Sequence, residues 1–342
     1  MPKYWMISLR DNGGTGDDRN PNGATFWTSD ADKNDLDKIE SWNKATAAQF
    51  RKALIDACAQ FPDLPPEQQE DEKHVTLCVH GYNNDFADTI GFYTRISQGL
   101  YAGKDSLGIS ILFTWPSKGE VYGYLPDRAE ARACADDLGD VLNLLYDVLG
   151  RNQVVAADDP AKACKAKVSI IAHSMGNYLT QMALFHVWKR NNSPLTVSLI
   201  NQLVMVAADV DNDIFDSGEQ TGDGDGEGIA NLCYRVTAFY SGRDPILGLS
   251  GGLKHFGKRR LGRSGLDRTA GSGVATADNV WDTDCSDLFA GDEINIHSAY
   301  FNCDKYPKAN SLMRQVLRGV DRGVLVNTGQ ASKNSWWPNK QP

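Results

Sequence analysis

The chain has 342 residues and a formal net charge of −9. That length can bury a sizeable core, and the acidic balance argues against nucleic acid or an anionic membrane as the main partner. Its 41% hydrophobic content is that of an ordinary soluble globular protein, and no apolar run approaches the roughly 18–20 residues of a membrane span.

Tyr4 to Leu9 and Ala24 to Thr28 read as short strands bridged by the turn-rich Asp11-Asn12-Gly13-Gly14-Thr15-Gly16, so the N-terminus is a first strand and not a signal peptide. Ala45 to Ala59 has helical spacing, and Pro65 to Lys73 is an acidic loop. His74 to His80 is a buried strand, followed by the loop Gly81-Tyr82-Asn83-Asn84 and a helix from about Phe86 to Tyr101. Ile109 to Trp115 is the next strand, stopped by Pro116, and Asp127 to Leu149 is helical with Ala and Leu on one face. Val168 to Ile171 is a strand, and Asn177 to Phe185 is a helix with a polar exit over Val187 to Ser193. Leu199 to Ala208 and Cys233 to Tyr240 are further apolar strands, separated by the Gly- and acid-rich loop Ser217 to Gly228. Pro245 to about Asp292 shows no periodicity and reads as an insertion. Strands alternating with helices predict a mostly parallel central sheet with helices on both faces. One domain is expected over 1–330, with a loose tail over 331–342.

The seven cysteines (Cys58, Cys78, Cys134, Cys164, Cys233, Cys285 and Cys303) are odd in number and include no C-x-x-C pair. Neither a disulfide framework nor a thiolate zinc site is indicated, and a cytoplasmic location is expected, although export without a cleaved signal fits the same sequence.

The most informative segment is Ala172-His173-Ser174-Met175-Gly176, placed between an apolar β-branched run and a helix. A small-x-Ser-x-Gly turn in that context is a nucleophile elbow, which holds the serine hydroxyl at the top of a sheet. Gly is commonest in the first position, and Ala172 adds one methyl group. A serine hydroxyl is a poor nucleophile near neutrality, so it needs a base and the base needs an orienting acid. Of six histidines, His74, His80 and His173 precede Ser174, and His186 lies on the helix leaving the elbow. His297, in a short apolar approach to a helix, is preferred as the base over His255, which sits in the basic Gly-rich insertion. For the acid, Asp244 opens the turn after strand Cys233 to Tyr240, and Asp209 ends the preceding strand. Asp244 is preferred, with Asp209 the alternative or a cap for a helix near Asn212. The oxyanion donors are expected to be the backbone N–H of Met175 and that of Tyr82, where Gly81 lets the chain turn inward.

Val79-His80-Gly81-Tyr82-Asn83-Asn84, Phe113-Thr114-Trp115-Pro116-Ser117, Ile171-Ala172-His173-Ser174-Met175-Gly176-Asn177, Ser241-Gly242-Arg243-Asp244 and His297-Ser298 together resemble an α/β-hydrolase. More narrowly they resemble a bacterial esterase/lipase-like group catalogued as a domain of unknown function. The resemblance covers roughly residues 70 to 300 and implies a Ser-Asp-His hydrolase with Ser174, Asp244 and His297 in those roles. It implies no substrate, because the fold hosts many acyl-transfer chemistries.

The expected activity is cleavage of a small-molecule or lipid carboxylic ester, with no cofactor and no metal. The alternatives are a lipase or phospholipase at membranes, using the insertion as a lid, and a non-catalytic binding module. Asp223-Gly224-Asp225-Gly226-Glu227-Gly228 opens like a calcium loop, but Tyr234 stands where the twelfth-position Glu should be. The basic stretch of Lys254, Lys258, Arg259, Arg260, Arg263 and Arg268 reads as a loop paired with the protein's own acids, and Trp336-Trp337 as part of a packed or disordered tail.

Overall fold

A computed structural model describes residues 2–117, 123–155, 166–195, 198–216, 226–255, 257–268 and 277–338. The first half of the calcium-like sequence, Asp223 to Asp225, and the end of the tail lie outside the described residues. Where the sequence predicts one domain, the chain divides into two compact units, Met1–Ser169 and Ile170–Pro342.

The first unit holds β1 (Tyr4–Ser8), β2 (Thr25–Ser29), β3 (Asn43–Ala45), β4 (Lys73–Val79) and β5 (Gly108–Thr114). Their order is β3-β2-β1-β5-β4. β1 and β4 flank β5 in parallel, while β2 runs antiparallel to β1 and β3. Strands buried on both faces must be apolar at nearly every position, and Trp5-Met6-Ile7, Val75, Leu77-Cys78-Val79 and Ile111-Leu112-Phe113 are all buried. Its helices are α1 (Ala47–Cys58), α2 (Phe86–Leu100), α3 (Tyr124–Ala133) and α4 (Ala135–Val155), the last two replacing one helix expected over Asp127 to Leu149. Thr46 and Gln49 form a reciprocal capping box on α1, and Asp85 accepts from Asp88 N to cap α2, which fixes where each helix starts.

The unit boundary falls within β6 (Ala166–His173). The second unit continues with α5 (Gly176–Arg190), β7 (Ile200–Val206), α6 (Glu227–Leu232), β8 (Cys233–Tyr240), α7 (Pro245–Leu249), α8 (Leu261–Ser264) and β9 (Val280–Asp284). It ends with α9 (Ile296–Ala299), α10 (Pro307–Leu317) and α11 (Arg322–Asn327). The strand order is β6-β7-β8-β9, and the two pairs β7–β8 and β8–β9 are parallel. Parallel strands joined through helices are the arrangement expected from the sequence.

Four expectations need correction. Helix α5 continues to Arg190, because Trp188 and Val187 of the supposed polar exit are buried. Asn212 begins a turn and no helix; its N–H donates to Arg259 O. The region read as an insertion contains β9, whose acid Asp282 is paired with Arg268 and accepts from Leu266 N. Burial pushes the Asp282 pKa up while Arg268 pulls it down. Finally, the tail through 338 is not loose: Trp336 pairs with Asp282 in an antiparallel bridge, and Ser335 Oγ donates to Thr283 Oγ1 at 2.8 Å. Trp337 packs edge-on to Trp281 with ring centroids 6.3 Å apart. The tail thereby satisfies backbone groups of an edge strand, which are costly to leave unpaired.

Six cysteines among the described residues are free thiols, and burial pushes the Cys78 and Cys233 thiols up. Both sit in strands as small apolar groups. No helix among the described residues is long and apolar enough to cross a membrane.

Candidate active site

Ser174 stands between the end of β6 and the start of α5, with φ +52°. A non-glycine residue in the left-handed region is held there only when its surroundings over-determine it. Here they do. Ser174 N donates to Val206 O at 3.0 Å, and Ser174 O accepts from the N–H groups of Asn177 and Asp209, each at 3.1 Å. The Asn177 side chain, fully buried, donates from Nδ2 to Ala172 O at 2.9 Å, to Ser174 O at 3.2 Å and to Val206 O at 3.3 Å. Asn177 is thus a clasp on the elbow, and the Asn that follows Ser-Met-Gly was its signal in the sequence. Met175 is the N-cap of α5, so its N–H belongs to the unpaired, partly positive end of a helix.

His297 and Asp244 meet directly. His297 Nδ1 donates to Asp244 Oδ2 at 2.7 Å, and both residues are buried. The other carboxylate oxygen, Oδ1, accepts from Leu247 N at 3.0 Å, so Asp244 also caps α7, with Pro245 in the first helical turn. One side chain therefore fixes the start of a helix and the ring of a histidine. Arg263 donates to the Asp244 carbonyl oxygen. Arg243 reaches across to four carbonyls, those of Ser286, Phe289, Ala290 and Gly291, and holds the segment that leads to His297. That role is invisible in the sequence apart from the arginine's place in Ser-Gly-Arg-Asp.

Asp209 has different company. Its Oδ1 accepts from Arg260 Nε at 2.8 Å and from Ser250 Oγ at 2.9 Å, and its carbonyl oxygen accepts from the same guanidinium. Arg260 is 1% exposed and also engages Asp211, which takes Lys258 at 3.2 Å as well. Lys258, Arg260 and Arg268 of the basic stretch are therefore paired with the protein's own acids, and Arg260 is buried. His255, the less favoured base, is half-buried.

In the first unit, Tyr82 lies in the turn after β4. Asn84 Nδ2 donates to Gly81 O at 3.1 Å and Tyr82 O at 2.8 Å, and Asn84 O accepts from Arg10 Nη2 at 2.8 Å. Arg10 is fully buried and also donates from Nε to Thr114 Oγ1 at 2.8 Å. Desolvation lowers its pKa to about 10. His80 Nδ1 donates to Gly81 O at 2.9 Å, which leaves Nε2 to accept from Trp115 N at 3.2 Å. That bonding makes His80 a structural histidine of the loop.

Residues 64–317 match the family described as "Alpha/beta hydrolase of unknown function (DUF900)", and the chain belongs to that family. The strands and helices above are accordingly those of an α/β-hydrolase. Uncharacterized protein alr1448 of Nostoc sp. is 23% identical over 133 residues, 33% of this chain and 31% of that protein. The chain thus spans about a third of the length of the curated relative it matches. Similar solved structures include an esterase of Pyrobaculum calidifontis at TM-score 0.37 and 12% identity, covering 85% of this chain and 94% of that one. Another is EstE1, a thermostable carboxylesterase from a metagenomic library, at TM-score 0.34 and 13% identity, covering 80% and 97%.

Proposed function

We propose that this α/β-hydrolase cleaves carboxylic esters through a Ser174-His297-Asp244 triad and an acyl-enzyme. The observation that carries the reading is the buried bond of 2.7 Å between His297 Nδ1 and Asp244 Oδ2. A carboxylate accepting at Nδ1 fixes the tautomer and leaves Nε2 as the basic nitrogen, and it stabilises the imidazolium that forms when the base takes a proton. Ser174 Oγ attacks the ester carbonyl and passes its proton to His297 Nε2. The developing oxyanion is received by the N–H of Met175, with Tyr82 as the second donor on the strength of the His80-Gly81-Tyr82 motif. His297 then protonates the leaving alcohol, and water, deprotonated by the same ring, releases the acid. Asp244 is favoured over Asp209 as the acid because the Asp209 carboxylate is already committed to Arg260 and Ser250.

A lipid ester is the second reading. Ile246, Leu249 and Ile294 are 46%, 59% and 85% exposed, and they flank Asp244 and His297 in sequence on α7 and just before α9. Apolar chains settling on such residues gain about 0.8 kcal/mol per methylene, close to fourfold in kcat/KM. The test is a p-nitrophenyl ester series from acetate to dodecanoate. Hydrolysis that falls by on the order of 10⁶-fold in Ser174→Ala supports the triad. A steady climb with chain length favours the lipid ester, and a Ser174→Ala variant as active as wild type would falsify the triad.

A further inference from the structure

We infer that His173, the residue immediately before the nucleophile, is a positioning residue that sets where His297 stands, an inference that rests on the triad proposed above. His173 closes β6 and is 6% exposed. Its Nε2 lies 2.8 Å from the backbone carbonyl oxygen of His297. A carbonyl oxygen only accepts, so the proton of this bond sits on His173 Nε2. That nitrogen is committed to the main chain of His297. The rings of His173 and His297 stand 4.8 Å apart at 53°, and Phe301 meets the His173 ring edge-on at 5.4 Å.

The bond matters because of what carries His297. Helix α9 is four residues long, Ile296–Ala299, and a single helical turn cannot hold itself in water. The place of the base depends on tertiary bonds. Asp244 holds the ring through Nδ1, and His173 holds the main chain through the carbonyl. Because Ser174 is the next residue along from His173, the same bond fixes the main chain of the base against the main chain of the nucleophile. An acyl transfer needs the two reacting side chains in one geometry, and a displacement of about 1 Å can cost about 100-fold in rate.

Two substitutions separate the donor from the ring. His173→Phe keeps the flat ring against Phe301 and loses the donor. His173→Gln loses the ring and keeps an amide N–H near the position of Nε2. The readouts are kcat and KM on a short p-nitrophenyl ester, the rate of fluorophosphonate labelling of Ser174, and Tm. The expected result for His173→Phe is a Tm near wild type, KM within about threefold, and kcat and labelling rate lower by roughly 10- to 100-fold. His173→Gln should recover both rates to within about fivefold. Wild-type rates in His173→Phe, or equal losses in the two variants, overturn the inference. Histidine ¹⁵N spectra of the wild-type protein test the bond without activity: His173 must be protonated at Nε2, and a Nε2 that carries no proton overturns the inference even if His173→Phe does not fold. Ser174→Ala, run alongside, separates this from a failure of the triad. If that variant hydrolyses the ester as wild type does, the triad is wrong, whereas a silent Ser174→Ala with a fully active His173→Phe removes only the role of His173.

Discussion

Asp244→Asn removes one charge and almost nothing else. Asn caps helices about as well as Asp, so its Oδ1 can keep the bond from Leu247 N, now 3.0 Å, and α7 should start where it does. The other carboxylate oxygen is replaced by an amide NH₂, a donor facing the donor Nδ1–H of His297 across 2.7 Å. The ring must then break the bond or move its proton to Nε2, and in that tautomer it cannot accept the serine proton. The same substitution in a Ser-His-Asp triad lowers kcat by about 10⁴-fold, or about 5 kcal/mol of transition-state stabilisation. Asp209→Asn makes the opposite prediction. It takes the charge from a buried pair in which the Asp209 and Arg260 side chains are 3% and 0% exposed, which costs stability of about 3 kcal/mol. Over 342 residues that loss lowers Tm by roughly 4 °C. Activity per folded molecule should stay within about tenfold of wild type, since that carboxylate faces Arg260 and not His297. Steady-state ester hydrolysis and calorimetry on both variants separate the two. The assignment is refuted by an Asp244→Asn enzyme within tenfold of wild type beside a folded, inactive Asp209→Asn.

Acid sensitivity should trace in part to His74, which is 1% exposed with Nδ1 at 2.8 Å from Ser169 Oγ. Burial first, and Lys167 and Lys73 next, push its pKa down to about 3. The unfolded chain takes up this proton near pH 6.5 and the native chain does not, so the stability is whole above pH 6.5 and declines as pH falls toward 3. By pH 4 the loss is roughly 3 kcal/mol, and His74→Asn should flatten the fall of Tm between pH 6.5 and 4. Parallel Tm profiles for variant and wild type would contradict this. At Gly262 a Cβ would lie 2.1 Å from Ala208 N and 2.2 Å from the carbonyl carbon of Ala207. Gly262→Ala must push the backbone that carries Arg260 away from Ala207-Ala208, the segment that follows β7, and a denaturant melt should show a loss of about 3 kcal/mol. An unchanged midpoint would mean that the contact relaxes freely.

Most of the scaffold was legible because parallel strands buried on both faces announce themselves as apolar runs. Val75 to Val79 and Leu203 to Val206 could not be surface, and the elbow was legible from its small residues and its place between strand and helix. β9 was not. Val280-Trp281-Asp282-Thr283-Asp284 carries two acids, and Asp282 is tolerable inside because Arg268, fourteen positions earlier, and the N–H groups of Leu266 and Trp336 all donate to it. The four-residue α9 has too few positions to show a period. The choice between Asp244 and Asp209 rested on loop lengths in the sequence, whereas their partners in the structure, His297 and Arg260, lie 53 and 51 positions away. His173 was passed over because a residue inside a motif is read for the motif, and its bond to His297 spans 124 positions.

The triad requires that Ser174 be an activated nucleophile. A fluorophosphonate probe reacts only with such a serine, so the most direct measurement is labelling of the purified chain followed by peptide mapping, on wild type and Ser174→Ala. One labelled residue is expected, Ser174, with labelling abolished in Ser174→Ala and slowed by orders of magnitude in Asp244→Asn. Folded wild-type protein that stays unlabelled, or that labels at another serine, contradicts the triad.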